Sequence, residues 1–125
     1  MTFDDTVNQF RVNGFLEIGG NMSLPVQAFI ATGTPLAGVG TGVITFAHNT
    51  TPILLTIPAP KDTGQLLILR DNSAGGTAAH VMTAASGTTF NGSNDVATFN
   101  APGEQLILIS ISTTEWMILL NTFNL

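Results

Sequence analysis

The chain has 125 residues, of which 44% are apolar and 9% are charged, against roughly 25% charged residues in an average soluble domain. Three basic and eight acidic side chains leave a formal net charge of -5, which predicts no surface for nucleic acid or anionic lipid. The chain has no cysteine, which excludes disulfides, thiolate metal sites and cysteine nucleophiles. The length predicts one core, and the sparse charge predicts that other copies or a partner cover much of the surface.

Strand-forming and turn-forming residues dominate the chain, and strong helix formers are rare. A short N-terminal helix over Asp4–Arg11, capped by Thr2 or Asp4, is the one helical segment that we expect. Apolar segments between turn residues predict strands at Gly14–Ile18, Val26–Ala31, Gly42–Ala47, Ile53–Ile57, Gln65–Arg70, His80–Ala84, Val96–Phe99, Gln105–Ser112 and Glu115–Asn121. We therefore predict an all-β fold, namely a small antiparallel β-sandwich or barrel-like module with an extended N-terminal arm.

The stretch from Ile18 to Pro60 contains no charged side chain, and its middle is rich in glycine, threonine and proline. Such a composition is typical of a flexible linker, or of an arm that becomes ordered on another subunit. We favour the arm, because an uncharged and mildly apolar segment gains little from solvation. The predicted organisation is an N-terminal attachment arm over residues 1–41 and a C-terminal β module over residues 42–125.

Two segments in the module, Gln65–Leu69 and Gln105–Ile109, are apolar at successive positions, so both faces of each strand need cover. A small antiparallel sheet normally exposes one face to water. The pattern therefore predicts that a neighbouring subunit covers the second face. The alternative is a monomeric sandwich in which these two strands are central. The residues that we predict in the subunit interface are Leu66, Ile68, Ile107, Ile109 and Trp116.

The same module contains a weak internal repeat. Ile57–Pro60 and Phe99–Pro102 each end in Ala-Pro, and each is followed by a short turn and an apolar strand. Gly64 and Gly103 lie in these turns, where we expect backbone angles that other residues avoid. The repeat predicts two similar hairpins, whether it arose by duplication or by convergence.

No constellation of residues predicts catalysis. His48 and His80 lack the spacing of metal ligands, so we interpret them as structural histidines. The turn acids are interpreted as backbone caps, and an oxygen-rich turn such as Asp71–Gly76 leaves a calcium site as a less favoured alternative. We expect no enzyme, no cofactor and no metal.

The aromatic residues near the N-terminus predict a docking site. Phe3, Phe10 and Phe15 lie close to Arg11 in the sequence, as contact groups for a partner do. Trp116 is interpreted as a core or interface anchor rather than a platform for a sugar. The acidic N-terminus and the short longest apolar run, Trp116–Leu120, predict neither a secretory signal nor a membrane span.

The order of motifs in the second half resembles a module of virion proteins from tailed bacteriophages. An apolar strand ends in Pro-Ala-Pro within Ile53–Pro60, and a glycine-led strand follows at Thr63–Leu69. A Gly-Thr-Thr segment at Gly87–Gly92 then precedes a closing strand with a tryptophan at Thr114–Leu119. The resemblance covers about residues 43 to 121. It departs at Met117, where such modules commonly have tyrosine, and the N-terminal part does not match.

The resemblance implies a structural protein of the virion that assembles as a homotrimer with intertwined sheets. At this length, a capsid decoration (cement) protein on the capsid exterior fits best, with the arm, including Phe3 and Phe10, contacting the major capsid protein. A head-fibre or tail-fibre component is the alternative within this class. A carbohydrate-binding β module that reads host glycans through Trp116 is the alternative from another class.

Overall fold

The structure is a computed structural model that describes residues 2–4, 9–11, 14, 15, 17, 19–35 and 42–123. The strands are β1 (Thr2–Asp4), β2 (Gln9–Arg11), β3 (Val26–Phe29), β4 (Gly42–Phe46), β5 (Leu54–Ile57), β6 (Leu66–Asp71), β7 (His80–Ala84), β8 (Thr89–Phe90), β9 (Val96–Phe99), β10 (Gln105–Ser112) and β11 (Glu115–Asn121). These residues contain no helix, so none that could cross a membrane. The predicted all-β class is confirmed for this part of the chain.

From Val26 onward, every predicted strand is present with ends that differ by at most two residues. The helix and the first strand predicted before Val26 are wrong at the residues that the structure describes. The segment predicted as a helix forms part of β1 and β2, which pair antiparallel with Phe3 opposite Phe10, because Thr2-Phe3-Asp4 and Gln9-Phe10-Arg11 each alternate polar and apolar residues as strands do. The strand predicted from residue 14 is absent at its described positions, where Gly14 has a φ of 115° that interrupts an extended backbone.

Two sheets build the module, and neither is purely antiparallel as we predicted. The larger has six strands in the order β3-β4-β6-β10-β11-β8, and the smaller has three in the order β5-β7-β9. Successive strands from β4 to β10 alternate between the two sheets. A strand and the next strand of the same sheet are therefore separated by a full turn of the chain, so β4 and β6, and likewise β5 and β7, pair in parallel. The segment from β4 to β7 therefore stacks as two-strand coils, similar to a β-solenoid, whereas β9 pairs antiparallel with β7 and β10 pairs antiparallel with β6.

The repeated Ala-Pro segments form crossings rather than the predicted hairpins. Each carries the chain from the three-stranded sheet to the six-stranded sheet, from β5 to β6 and from β9 to β10. The expected backbone geometry at the two glycines is confirmed, since φ is 82° at Gly64 and 87° at Gly103. The sequence therefore predicted the backbone conformation of these turns. It did not determine whether the two strands that flank each turn pair with each other.

The core lies between the two sheets and is filled by alternate residues of both. Burial alternates strictly along β4, β5 and most of β6 and β10. The buried cluster contains Ile44, Phe46, Ile53, Leu55, Ile57, Leu67, Leu69, Met82, Ala84, Phe90, Ala97, Phe99, Leu106, Leu108 and Trp116. Phe46 and Phe99 meet edge to face with ring centroids 4.8 Å apart. One face of the apolar strands β6 and β10 is thus covered within the single chain.

Two loops that connect the sheets lie in close backbone contact at one end of the stack. Gly76, between β6 and β7, has a φ of 93°, and a Cβ atom there would lie 1.9 Å from the carbonyl oxygen of Asn49. Thr77 N–H donates a hydrogen bond to the same oxygen. Only glycine can adopt this positive φ and also leave room for the Asn49 carbonyl.

We predict that Gly76→Ala destabilises the fold by at least about 2 kcal/mol, because backbone strain and the overlap with Asn49 act together. Gly75→Ala is the matched control, since its Cβ would have no neighbour within 4 Å. Urea denaturation followed by circular dichroism measures both free energies of unfolding. Equal stability of the two variants would contradict the assigned loop contact.

Candidate self-association surface

The side of the six-stranded sheet that faces away from the core is apolar across five strands. Direct pairing partners in a sheet share a face, and one row of partners joins Val26, Val43, Ile68, Ile107 and Leu120 in that order. We call this side the outer face. It consists of Val26, Val43, Leu66, Ile68, Ile107, Ile109, Met117 and Leu120.

The outer face becomes more exposed toward its two margins. Val43, Leu66, Ile68, Ile107 and Ile109 are half-buried. At the margins, Val26 is 61% exposed and Leu120 is 42% exposed. No second layer of the described chain covers this side, because the three-stranded sheet packs against the opposite one.

Charge is almost absent from this sheet. The six strands contain three charged residues, Arg70, Asp71 and Glu115, which lie at strand ends. Arg70 lies in the row beyond Ile68, where its guanidinium donates to Asn72 Oδ1 over 3.0 Å and to Gln105 Oε1 over 3.4 Å. The outer face therefore presents an uncharged apolar surface with one cation at its margin.

The structure brings together four of the five residues predicted in the subunit interface. Ile68 pairs directly with Ile107, and Leu66 pairs directly with Ile109. All four lie on the outer face. The sequence analysis did not predict the outer-face residues of β3, β4 and β11. The uncharged stretch before Pro60 and the apolar run Trp116–Leu120 were the features that could have indicated them.

Trp116 does not belong to this surface. Its side chain is 3% exposed and lies in the core, and its indole Nε1–H donates a hydrogen bond to the carbonyl oxygen of Pro58 over 3.2 Å. Trp116 pairs with Ser110, which also points inward. The predicted interface role is therefore corrected, because strand alternation places this position on the inner face. Its ring is equally inaccessible to a sugar.

The predicted partner-contact residues lie in the N-terminal part. Phe3 and Phe10 are opposite one another in the small β1–β2 sheet, and Arg11 is opposite Thr2. Phe15 is fully exposed. The β1–β2 sheet is separate from the two larger sheets in its pairing. By contrast β3, which precedes the predicted domain boundary, joins the six-stranded sheet.

A buried polar network joins the two loops at the Gly76 end of the stack. Ser73 Oγ accepts a hydrogen bond from His48 N–H over 3.1 Å, donates to the His48 carbonyl over 3.2 Å, and lies 3.2 Å from His80 Nε2. His80 Nδ1 accepts from Ile53 N–H over 3.0 Å. Because Nδ1 accepts, we assign the proton of this ring to Nε2.

The network has the residue types of a catalytic triad but a different geometry. In a triad the acid contacts Nδ1, and Nε2 is the base that takes the serine proton. Here Asp71 Oδ2 lies 3.8 Å from Nε2, on the same side of the ring as Ser73, and its Oδ1 accepts from Ser73 N–H over 2.8 Å. Nε2 carries the proton and is no base for Ser73. The arrangement instead ties the loop before β7 to the loop before β5.

No group of three or more histidine, cysteine, aspartate or glutamate residues is placed to hold a metal ion within the described ranges. Glu104 behaves as the predicted turn cap, since its Oε2 accepts hydrogen bonds from the backbone N–H groups of Asn100 and Ala101.

We predict that Ser73→Ala lowers the free energy of unfolding by about 1–3 kcal/mol, because it leaves polar groups of the half-buried His48 and the buried His80 without their partner. Ser93→Ala, at an exposed turn position, is the matched control and should change stability by less than about 0.5 kcal/mol. Thermal and urea unfolding measure both. A neutral Ser73 variant would show that the network does not hold the loops together.

No protein-family model matches this chain, and no curated protein matches it. Its function is therefore inferred from the arrangement of its own residues and from the motif resemblance.

Proposed function

We propose that this chain is a virion structural protein, a capsid decoration protein that self-associates as a homotrimer and binds the capsid exterior. The observation that carries the proposal is the uncharged, apolar outer face of the six-stranded sheet. The order of motifs that resembles bacteriophage virion modules supports the same role.

The size of the outer face supports self-association. The outer face spans four strand spacings of about 4.8 Å across the sheet and about four residues of about 3.3 Å along the strands, a footprint of roughly 250 Å². Covering it contributes about 6 kcal/mol from each copy at roughly 25 cal/mol per Å². Because association costs about 4–15 kcal/mol, a stable complex needs a partner with an equally apolar surface, and a second copy supplies one.

The attachment role falls to the N-terminal part. An isolated two-stranded hairpin is marginally stable in water, and β1–β2 shares no strand pairing with the larger sheets. A partner surface would stabilise the hairpin, and Phe3, Phe10, Arg11 and Phe15 are the contact residues that we propose toward the major capsid protein. The action is mechanical, because trimers that bridge capsid subunits would oppose the pressure of packaged DNA.

The partners that we propose are sister chains and the major capsid protein, and nucleic acid and membranes are not among them. A net charge of -5 would repel the phosphate backbone and anionic lipid. The mechanism needs neither a cofactor nor a catalytic group. A head-fibre or tail-fibre role uses the same self-association and differs only in where the trimer is attached.

Self-association is tested by replacing one central outer-face residue with a charge. We predict that the wild-type protein has three times the chain mass by light scattering, and that Ile107→Lys dissociates it because a lysine would be buried without a partner charge. Val81→Lys is the matched control. Val81 is also half-buried but lies in β7 of the other sheet, so that variant should stay trimeric.

Circular dichroism must show that both variants keep their strands. A wild-type protein that is folded and has a mass of 13.1 kDa in light scattering would reject self-association.

The virion role is tested by locating the chain in particles that contain it. We expect that a difference map between particles with and without the chain shows trimeric density on the outer shell, and that shells lacking the chain open at lower temperature. Density at a fibre or on the tail would favour the fibre role. A particle that never incorporates the chain would reject both.

A further inference from the structure

One edge of the six-stranded sheet is only partly occupied. At that edge β8 pairs with Glu115 and Trp116 at the start of β11, and among the described residues no strand lies beside the rest of β11. Met117, Leu119 and Leu120 are 37%, 51% and 42% exposed. A register shift near Ile107 and Leu108 makes Leu119 an extra residue in the pairing.

Unpaired backbone groups at such an edge can form hydrogen bonds with another strand. Free edges in soluble proteins are normally short or protected by charge, proline or a β-bulge. The segment after Trp116, Met-Ile-Leu-Leu-Asn, contains neither charge nor proline, and the extra residue Leu119 is the one such feature in it. The parallel pairing of β8 with the beginning of β11 shows that this edge accepts a strand running in the same direction.

At the opposite edge of the same sheet, the part of the chain that the structure describes places no strand beyond β3. The pairing of β3 to β4 uses the carbonyls of Pro25 and Phe29, which accept from Val43 N–H and Ala47 N–H. Strand geometry then directs the backbone groups of Val26 and Ala28 away from β4. Val26 is 61% exposed.

The two open edges run in the same direction and overlap at two rows of the sheet, where Val26 is level with Leu120 and Gln27 is level with Asn121. β3, β4 and β6 are parallel, and β10 is antiparallel to both β6 and β11, so β3 and β11 run in the same direction. Val26 and Leu120 are the two ends of one row of pairing partners on the outer face. A rotation about an axis along the strands brings β11 of one copy beside β3 of the next and keeps both the direction and the height.

We propose that the six-stranded sheets of neighbouring copies join edge to edge, with β11 of one copy beside β3 of the next. The occupant of each open edge is thus a second copy of this chain. This inference rests on the proposed homotrimer and specifies its contact. A head-to-tail contact of this kind closes into a ring when the rotation is one third of a turn, and the outer faces then line the inside of the ring, away from water.

The absence of cysteine in the chain allows a direct test by disulfide cross-linking. Within one chain Val26 and Leu120 are four strand spacings apart, about 19 Å, whereas a disulfide requires Cα atoms closer than about 7 Å. The double variant Val26→Cys/Leu120→Cys can therefore cross-link only between copies. After oxidation in air with a copper catalyst, we expect a band at three times the 13.1 kDa chain mass on non-reducing gels.

The controls separate this contact from any other. A mixture of the two single variants should give a covalent dimer that needs both partners, and Val81→Cys/Leu120→Cys should give no covalent trimer. Light scattering and circular dichroism of the reduced double variant are measured first. Loss of the trimer with the strands intact would support a contact at these two positions, and a retained trimer makes the presence or absence of the covalent trimer decisive.

The two proposals fail in different ways. A reduced double variant that is trimeric in light scattering but yields no covalent trimer would overturn the edge contact and leave the homotrimer standing. A wild-type protein that is monomeric would overturn the homotrimer and the edge contact together.

Discussion

Burial of one face of β6 and β10 against the three-stranded sheet is the interaction on which the rest of the structure depends. These two strands lie at the centre of the larger sheet and contribute Leu67, Leu69, Leu106 and Leu108 to the core. The other members of the core reach them because the chain changes sheet after every strand from β4 to β10. A single hydrophobic layer thus holds together segments that are distant in sequence, and it positions the described loops at the ends of the stack.

That alternation between sheets also explains where polar groups are buried. Loops that lie one above the other carry backbone groups that no sheet ladder can satisfy, and such groups need partners. His80 and Ser73 supply them at the Gly76 end, while at the opposite end Ser110 Oγ accepts from Gln65 N–H and donates to the Asp62 carbonyl. No described buried side-chain nitrogen or oxygen lacks a hydrogen bond. The residues that resemble catalytic machinery therefore serve the stacking of the loops.

Within residues 2–4, 9–11, 14, 15, 17, 19–35 and 42–123, no second layer packs on the other face of β6 and β10. Charged side chains would allow water to hydrate that face, but its side chains here are those of valine, isoleucine, leucine and methionine. The proposed homotrimer would cover this apolar face. The proposed edge-to-edge contact of β11 with β3 would pair the backbone groups at the two edges of the sheet. In the proposed homotrimer, the N-terminal hairpin would be the part of each copy that contacts the capsid.

The sequence by itself determined the all-β class, the strands after Val26, the glycines of the crossing turns and the charge-poor character of the surface. These follow from local rules, since alternation and turn chemistry act over a few residues. Only the tertiary structure decided that the Ala-Pro turns cross between sheets, that Trp116 points inward and that Leu66, Ile68, Ile107 and Ile109 share one face. Strand pairing is the reason, because it joins residues far apart in the chain, as Gly42 and Leu67 are, and no local pattern encodes which strand becomes the neighbour.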